Sequence, residues 1–210
     1  MRFQWVNEDS VQVHLASPEQ VASAMRQLSV HRNSEIRDLS AGFNQLLITF
    51  ARPAAAQGLL SGLDLSDAPT VSPRLVTLPV CYDPAVAPDL TDVAQRTGLS
   101  AEDIIERHCQ QRLTVVAMGF APGFGYLDGL DPALSLPRKA TPRSEVPAGS
   151  VAIANRQSVI YPTATPGGWH IIGRSPARLI EYEPALRTLF EIGDQVKFEP
   201  ISLDQLNACK

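Results

Sequence analysis

The chain has 210 residues, 44% of them hydrophobic, and a formal net charge of −4 at neutral pH. This length and composition suffice for one large hydrophobic core or two small ones, and they exclude the fibrous and disordered classes. The acidic balance argues against a nucleic-acid-binding protein, which usually gathers a basic excess on one face.

No stretch of the sequence predicts a membrane span or an export signal. No apolar run reaches the roughly 20 residues that a membrane-spanning helix needs, and MRFQWVNEDS lacks the regions of a signal peptide. Cys81, Cys109 and Cys209 are far apart and form no C-x-x-C pair, which favours reduced thiols over disulfides or a zinc site. We therefore expect a cytoplasmic protein.

The first 80 residues alternate strand-like and helix-like patterns. Ser17 to Gln20 supplies an N-cap, a proline at the first helical position and a capping-box glutamine. The resulting order βαββαβ is the ferredoxin-like arrangement. The predicted elements are strands over 11–15, 36–39, 45–50 and 75–80, and helices over 18–28 and 53–63.

A cluster of prolines between residues 69 and 88 indicates a domain boundary near residue 80. A helix over 89–97 should end at Gly98, and Ser100 with Asp103 should cap a following helix that places Ile104 and His108 on one side. Short strands separated by turns then predict a closed or nearly closed antiparallel barrel. These strands are expected over 113–118, 150–154, 158–161, 169–173, 179–182 and 196–201.

The segment from Gly119 to Pro176 combines stiff loops with an excess of positive charge. It holds eight of the 17 prolines and eight of the 13 glycines, which fix the shape of its backbone. It also carries five basic and three acidic side chains, a net charge of +2 in an acidic chain. Disordered linkers usually lack aromatic and arginine residues, so we predict shaped loops around a pocket for a small anion.

Several long and unusual motifs in this segment resemble those of a known family. In chain order they are GFAPGFGYLDGLDP, the Pro-Arg pairs at 137–138 and 142–143, VPAGSVAIA, IYP and PGGWHIIGRSP. They resemble the signature of the bacterial 5-oxoprolinase B-subunit family, also known as the allophanate hydrolase subunit 1 or sporulation kinase-A inhibitor family. That family is similar to part of the urea amidolyase carboxyltransferase region. One departure is at residues 154–157, where the family usually has a glycine and this chain adds Arg156.

The resemblance implies a fold, a function and partners. The expected α+β fold has a ferredoxin-like α/β domain over 1–80 and a cyclophilin-like β-barrel domain over 81–210. The implied function is that of a protein, inactive alone, which works with a homologous C-subunit and with an A-subunit in the ATP-dependent hydrolysis of 5-oxoproline to glutamate. The alternative is an inhibitor that binds a sporulation sensor histidine kinase. No nucleic-acid or membrane partner is expected.

Cleavage of a lactam calls for cationic groups and a proton carrier, because a lactam carbonyl is a poor electrophile. Arg138 and Arg143 each follow a proline in a stiff loop, which limits the entropy lost when a guanidinium binds an anion. We expect both to bind phosphate or carboxylate groups at the catalytic site. The alternative for each is a salt bridge to Glu145 or Asp131.

His170 is the candidate for proton transfer. It follows Trp169 at the start of a strand, so the two side chains should point to opposite faces of the sheet. If Trp169 packs inward, His170 reaches the pocket or the solvent. The alternative is a structural or surface histidine, and for His108 we favour a packing or capping role.

Further substrate contacts are expected in the same loops, although several have a purely structural alternative. The Gly167-Gly168 pair lets the backbone approach a ligand or forms only a tight turn, and the aromatic residues line a pocket or plug the barrel end. Ser150 lacks the G-x-S-x-G context of a nucleophile. ATP is the implied co-substrate, but the chain has no G-x-x-x-x-G-K-[ST] motif and no metal-ligand spacing. The expected substrate-binding residues are Phe120, Pro122, Phe124, Tyr126, Ser150, Gln157, Tyr161, Pro166, Gly167, Gly168, Trp169 and Arg174.

Overall fold

The computed structural model describes residues 2–31, 34–52, 73–183 and 185–209. The chain forms two compact units, Met1–Arg74 and Leu75–Lys210. The division therefore lies a few residues before the boundary near residue 80 that the prolines predict.

Within its described residues, the first unit is an antiparallel sheet with one helix. The strand order is β1-β2-β4-β3, and alternate residues of β2 and β4 are buried, among them Val11, Val13 and Ile48. Helix α1 begins after Ser17, whose hydroxyl accepts a hydrogen bond from the Gln20 backbone N–H at 3.3 Å. The elements are β1 (Arg2–Trp5), β2 (Ser10–His14), α1 (Pro18–Ser29), β3 (Ile36–Gly42) and β4 (Gln45–Phe50).

This unit agrees with the predicted βαββ part of a ferredoxin-like arrangement, from β2 to β4, and differs in two respects. Strand β1, which pairs with β2, was not predicted. The prediction that 75–80 closes this sheet is wrong, because Leu75–Cys81 pairs within the second unit. The helix expected over 53–63 lies outside the described residues. A ferredoxin-like N-terminal domain therefore stays a prediction.

The second unit contains most of the described helices and strands. Its helices are α2 (Leu90–Thr97), α3 (Ala101–Gln110), a 3₁₀ turn (Pro132–Leu134) and α4 (Leu203–Ala208). Its strands are β5 (Leu75–Cys81), β6 (Leu113–Met118), β7 (Gly125–Asp128), β8 (Arg143–Val146), β9 (Ser150–Ala154), β10 (Gln157–Ile160), β11 (Thr165–Gly167), β12 (His170–Arg174), β13 (Ile180–Glu181), β14 (Arg187–Thr188) and β15 (Gln195–Ile201).

Seven described strands of the second unit close into a barrel. Their order is β6-β15-β5-β12-β9-β10-β7, and β7 pairs back onto β6. All of these pairs are antiparallel except β15 with β5, which is parallel. The closed barrel confirms the prediction and is consistent with a cyclophilin-like barrel. The strand expected over 179–182 is only the short β13, which pairs with β14 outside the barrel.

Three neighbouring barrel strands, β9, β10 and β12, are buried on both faces. All five residues of β9 are buried. Val151 and Ile153 belong to the barrel core, whereas Ala152 and Ala154 belong to a second cluster outside it. The second cluster, here called the aromatic cluster, is formed around Phe124, Val146, Ala152, Ala154, Val159, Tyr161, Trp169 and Ile171. The barrel wall therefore provides the floor of a second apolar layer.

A chain of polar groups crosses the barrel core at His108. Its Nδ1 lies 2.7 Å from the Tyr82 hydroxyl and its Nε2 lies 2.9 Å from Ser158 Oγ. The imidazole is fully buried and stacks on Phe198 with a ring-centroid distance of 4.5 Å. Burial lowers the pKa of His108 from 6.5 to about 3, so the folded protein holds this ring neutral. The packing role expected for His108 agrees with these contacts.

Acid should destabilise the barrel through His108. The unfolded chain protonates this histidine below its ordinary pKa of 6.5, but the folded chain does so only near pH 3. The free energy of unfolding should therefore fall as the pH falls from 6.5 towards 3, by at most about 1.4 kcal/mol per pH unit. Urea unfolding of the wild type and His108→Gln between pH 7 and pH 4.5 measures this term. Equal pH dependence in the two proteins would contradict it.

Candidate functional site

A small cavity opens on the aromatic cluster, outside the barrel core. Its volume is about 90 Å³. All of the residues that line it were expected at the site from the sequence. They are Phe120, Phe124, Tyr126, Arg138, Tyr161, Pro166, Gly167, Gly168 and Trp169.

The aromatic rings of the cavity pack against one another in edge-to-face and tilted pairs. The ring of Phe124 lies 5.2 Å from that of Phe120 and 5.3 Å from that of Tyr161. Tyr126 bridges Phe124 and Trp169, with centroid distances of 5.1 and 6.2 Å. Such contacts contribute about 0.5–1.5 kcal/mol per pair beyond burial. The cavity wall is therefore preformed.

Phe120 stands apart from the other aromatic residues of the cavity. Its φ angle is 74°, in the left-handed region, and its side chain is 65% exposed. A bulky residue in that region costs about 1–3 kcal/mol. The rim of the cavity therefore combines a strained backbone with an exposed ring.

Arg138 provides a positive charge at the cavity. Its Cζ lies 5.6 Å from the centroid of the Trp169 ring, a cation–π distance. Among the described residues, the ion pairs beside the cavity join Lys139 and Arg143 to Asp89, and His170 Nδ1 lies 3.7 Å from Asp92 Oδ2. None of these pairs includes Arg138. Arg138 can therefore receive an anion.

Tyr161 provides a hydroxyl group close to the same cationic side chain. Burial raises the pKa of Tyr161 to about 12, although the charges of Arg138 and Arg143 oppose this effect. The phenol is thus protonated at neutral pH and can donate a hydrogen bond. A neutral donor beside a guanidinium suits a ligand that carries both a carboxylate and a carbonyl oxygen.

A buried carboxylate, Asp89, lies next to the cavity and was not expected at the site. Its Oδ1 accepts from Lys139 Nζ and Arg143 Nη2, both at 2.7 Å, and its Oδ2 accepts from Arg143 Nη1 at 2.8 Å and Ile171 N at 2.7 Å. Burial tends to raise the pKa of Asp89, but the hydrogen bonds from Arg143, Lys139 and Ile171 outweigh it and lower the pKa. Asp89, Lys139, Arg143 and Ile171 are here called the Asp89 cluster.

The predicted catalytic residues fall into two groups. Arg138 lines the cavity, but Arg143 binds Asp89, a partner that differs from both Glu145 and Asp131. His170 is fully buried, and its Nε2 donates to the Pro137 carbonyl at 2.9 Å. It does not line the cavity, because Trp169 occupies that side.

Four of the predicted substrate contacts also lie away from the cavity lining. Pro122 is exposed, and Ser150 is buried with no hydrogen-bond partner for its hydroxyl among the described residues. Gln157 pairs with Ala154 and Asp128 in the barrel wall. Arg174 ends β12 and lies opposite Ser150.

A second cavity, of about 650 Å³, lies between α3 and β15. No residue of segment 119–176 lines this cavity. Its lining combines apolar and charged side chains, among them Ile105, Phe198, Glu102 and Lys197. We take the cavity of about 90 Å³ as the candidate site because all of its lining residues, including a guanidinium and a phenol, belong to that segment. A third cavity, of about 300 Å³, takes its guanidinium and phenol, Arg178 and Tyr182, from outside the segment. The described residues hold no cluster of metal ligands and no helix long and apolar enough to cross a membrane.

Residues 1–189 match the family model described as carboxyltransferase domain, subdomain C and D, and the chain belongs to this family. Two relatives are named as the B-subunit of 5-oxoprolinase. The one from Escherichia coli O157:H7 is 34% identical over 93% of this chain and 94% of its own length. The one from Bacillus subtilis is 44% identical over 67% of this chain, and the matched region spans 58% of that relative.

Solved structures support the fold. The crystal structure of TTHA0988 matches with a TM-score of 0.79 at 32% identity, over 92% of this chain and 40% of that protein. The Kluyveromyces lactis urea carboxylase matches with a TM-score of 0.68 at 17% identity, over 98% of this chain and 22% of that enzyme, a likeness in fold alone. The family resemblance carried by the loop motifs is confirmed.

Replacing Gly167 with alanine should strain the candidate site. The added methyl would lie 3.0 Å from two ring carbons of Tyr161 and closer still to its hydroxyl, and the ring is packed against Phe124. We expect a loss of about 1–3 kcal/mol in the free energy of unfolding.

Gly168→Ala is the matched control for this substitution. A Cβ at Gly168 would meet Pro142 at 3.6 Å, an ordinary contact. This variant should therefore stay within about 0.5 kcal/mol of the wild type. Urea unfolding of both variants measures the difference, and equal losses would contradict the described geometry.

Proposed function

We propose that this chain is the B-subunit of a 5-oxoprolinase complex, which hydrolyses 5-oxoproline to glutamate with ATP. The observation that carries the proposal is the Arg138 guanidinium over Trp169 in a cavity of about 90 Å³. The relatives named as the 5-oxoprolinase B-subunit support the same activity. They do not favour the alternative of a kinase inhibitor.

The groups around the cavity match the chemistry of this lactam. In the proposed pose Arg138 binds the carboxylate through two parallel N–H donors, which gives both energy and orientation. The protonated Tyr161 hydroxyl donates a hydrogen bond to the lactam carbonyl oxygen. The lactam ring lies against the aromatic side chains of the cavity wall. Donation to this oxygen withdraws electron density from the carbonyl carbon and favours attack there.

ATP is the co-substrate of the proposed complex, and this chain offers no site for it in the candidate cavity. Pockets for drug-sized ligands occupy about 300–1,000 Å³, several times the volume of this cavity. We therefore assign nucleotide binding to a partner protein or to a shared surface. In the overall reaction, ATP phosphorylates the lactam carbonyl oxygen and leaves as ADP. A first water attacks the carbonyl carbon and the ring C–N bond breaks, giving γ-glutamyl phosphate. A second water hydrolyses this acyl phosphate to glutamate and phosphate.

The C- and A-subunits of the complex complete the proposed site. The exposed and strained Phe120 at the cavity rim suits a contact with another protein chain. The described lining of the cavity contains no histidine and no carboxylate to carry a proton to and from the reacting bond, so in this proposal a partner supplies that group. The free state of all three cysteines suits a cytoplasmic complex.

Arg138→Ala should lower the kcat/KM of the assembled complex for 5-oxoproline by about 10- to 100-fold, because a charge-assisted hydrogen bond is worth about 1.5–3 kcal/mol. Arg138→Lys should recover only part of this loss, since lysine keeps the charge without the fork. The assay mixes the chain with its C- and A-subunits and follows glutamate release from 5-oxoproline with ATP.

Arg107→Ala serves as the control, because Arg107 pairs with Asp131 away from the cavity at 2.8 Å. Its kcat/KM should match the wild type. Absence of glutamate release from a stable complex of all three wild-type proteins would refute the proposed function.

A further inference from the structure

Asp89 occupies the N-cap position of α2 but does not cap the helix. Its side chain makes no cap hydrogen bond, and its φ and ψ of −103° and −2° lie outside the extended region usual for an N-cap. An aspartate at this position normally stabilises its helix by accepting a hydrogen bond from a free backbone N–H of the first turn. The carboxylate is instead turned away from α2 and is 4% exposed. Because Asp89 does not cap the helix as an aspartate at this position usually does, we expect its carboxylate to have another role.

That carboxylate joins two segments that are far apart in the chain. From one side it receives Lys139 and Arg143, 50 and 54 residues downstream. From the other side it receives the backbone N–H of Ile171, while its own backbone N–H donates to the Ile171 carbonyl at 3.0 Å. Asp89 thus fastens the loop over 137–143 to the start of β12.

Two further hydrogen bonds hold the same loop on either side of Arg138. The Pro137 carbonyl accepts from His170 Nε2 at 2.9 Å, and the Lys139 backbone N–H donates to the Gly168 carbonyl at 2.7 Å. The backbone of Arg138 therefore lies between two fixed neighbours. Its side chain alone extends over Trp169.

The Asp89 cluster also determines which positive charges of the loop are paired with a carboxylate. Lys139 and Arg143 share one carboxylate, so each has a partner within 2.8 Å. Without Asp89 both cations would lose that partner, and their repulsion would act on a loop that carries a third cation, Arg138. The carboxylate therefore affects both the shape of the loop and which cation meets a ligand.

We propose that Asp89 is a positioning residue of the candidate site: it fixes the loop over 137–143 and so holds the Arg138 guanidinium above Trp169, where a ligand carboxylate binds. The part of this proposal that concerns the ligand rests on the proposed function. The part that concerns Arg138 and Trp169 does not.

The test compares Asp89→Asn with Arg138→Ala in a Trp5→Phe background, in which Trp169 is the remaining tryptophan. Both variants should give red-shifted Trp169 emission and stronger acrylamide quenching, because the guanidinium no longer covers the ring. In complexes with the C- and A-subunits, both should weaken 5-oxoproline binding by about 10- to 100-fold, measured by calorimetry. The double variant should be no weaker than Arg138→Ala alone, since Asp89 acts through Arg138.

Two further variants separate positioning from stability. Asp131→Asn makes the same chemical change at an ion pair away from the cavity and should leave both readouts at wild-type values. Asp89→Asn combined with Lys139→Met and Arg143→Met removes the uncompensated cations, so its melting temperature should recover at least in part. Its Trp169 quenching and its ligand affinity should stay altered, because the loop remains unfastened. This variant also keeps the test decisive if Asp89→Asn alone does not fold.

The role of Asp89 would be overturned by wild-type quenching and affinity in the variants of Asp89, or by losses of affinity that add to those of Arg138→Ala. Recovery of affinity together with melting temperature in the triple variant would reduce Asp89 to a structural residue and would also overturn it. If wild-type complex binds no 5-oxoproline, the proposed function fails. The fluorescence comparison then still decides the role of Asp89.

Discussion

Burial of β9, β10 and β12 on both faces is the constraint on which the rest of the second unit depends. Because side chains alternate along a strand, each of these strands supplies one row to the barrel core and one row to the aromatic cluster. The cavity is therefore built on the barrel wall itself. A one-residue slip in register would exchange the two rows and disrupt both layers. The candidate site is therefore as rigid as the barrel wall that supports it.

A second constraint concerns the charges next to the cavity: the cations of one loop outnumber the carboxylates that bind them. The loop over 137–143 brings three cations together, and Asp89 forms ion pairs with two of them. A buried carboxylate needs such partners, since burial alone disfavours its charge. The third cation, Arg138, is left over an aromatic face. One buried acid thus explains why two of the cations are structural and one is available to a ligand.

Much of the site could be predicted from the sequence because its residues are close in the chain and its loops are rich in proline and glycine. Alternation also separates Trp169 from His170, as expected, but a sequence pattern does not show that both sides of β12 are covered. The role of Asp89 depends on contacts 50 or more residues away, and its position before a helix indicates a cap instead. The placement of 75–80 was wrong because strand patterns do not specify partners.

Phe120 gives the strongest physical argument that the cavity is one half of a larger site. The chain holds this residue in the left-handed region and leaves most of its ring in water, while Phe124 nearby is almost fully buried. Both features raise the free energy of the isolated chain. A partner that covers the ring would recover the hydrophobic part of this cost. In the proposed complex, this conformation would present an aromatic side chain to a partner protein beside Arg138.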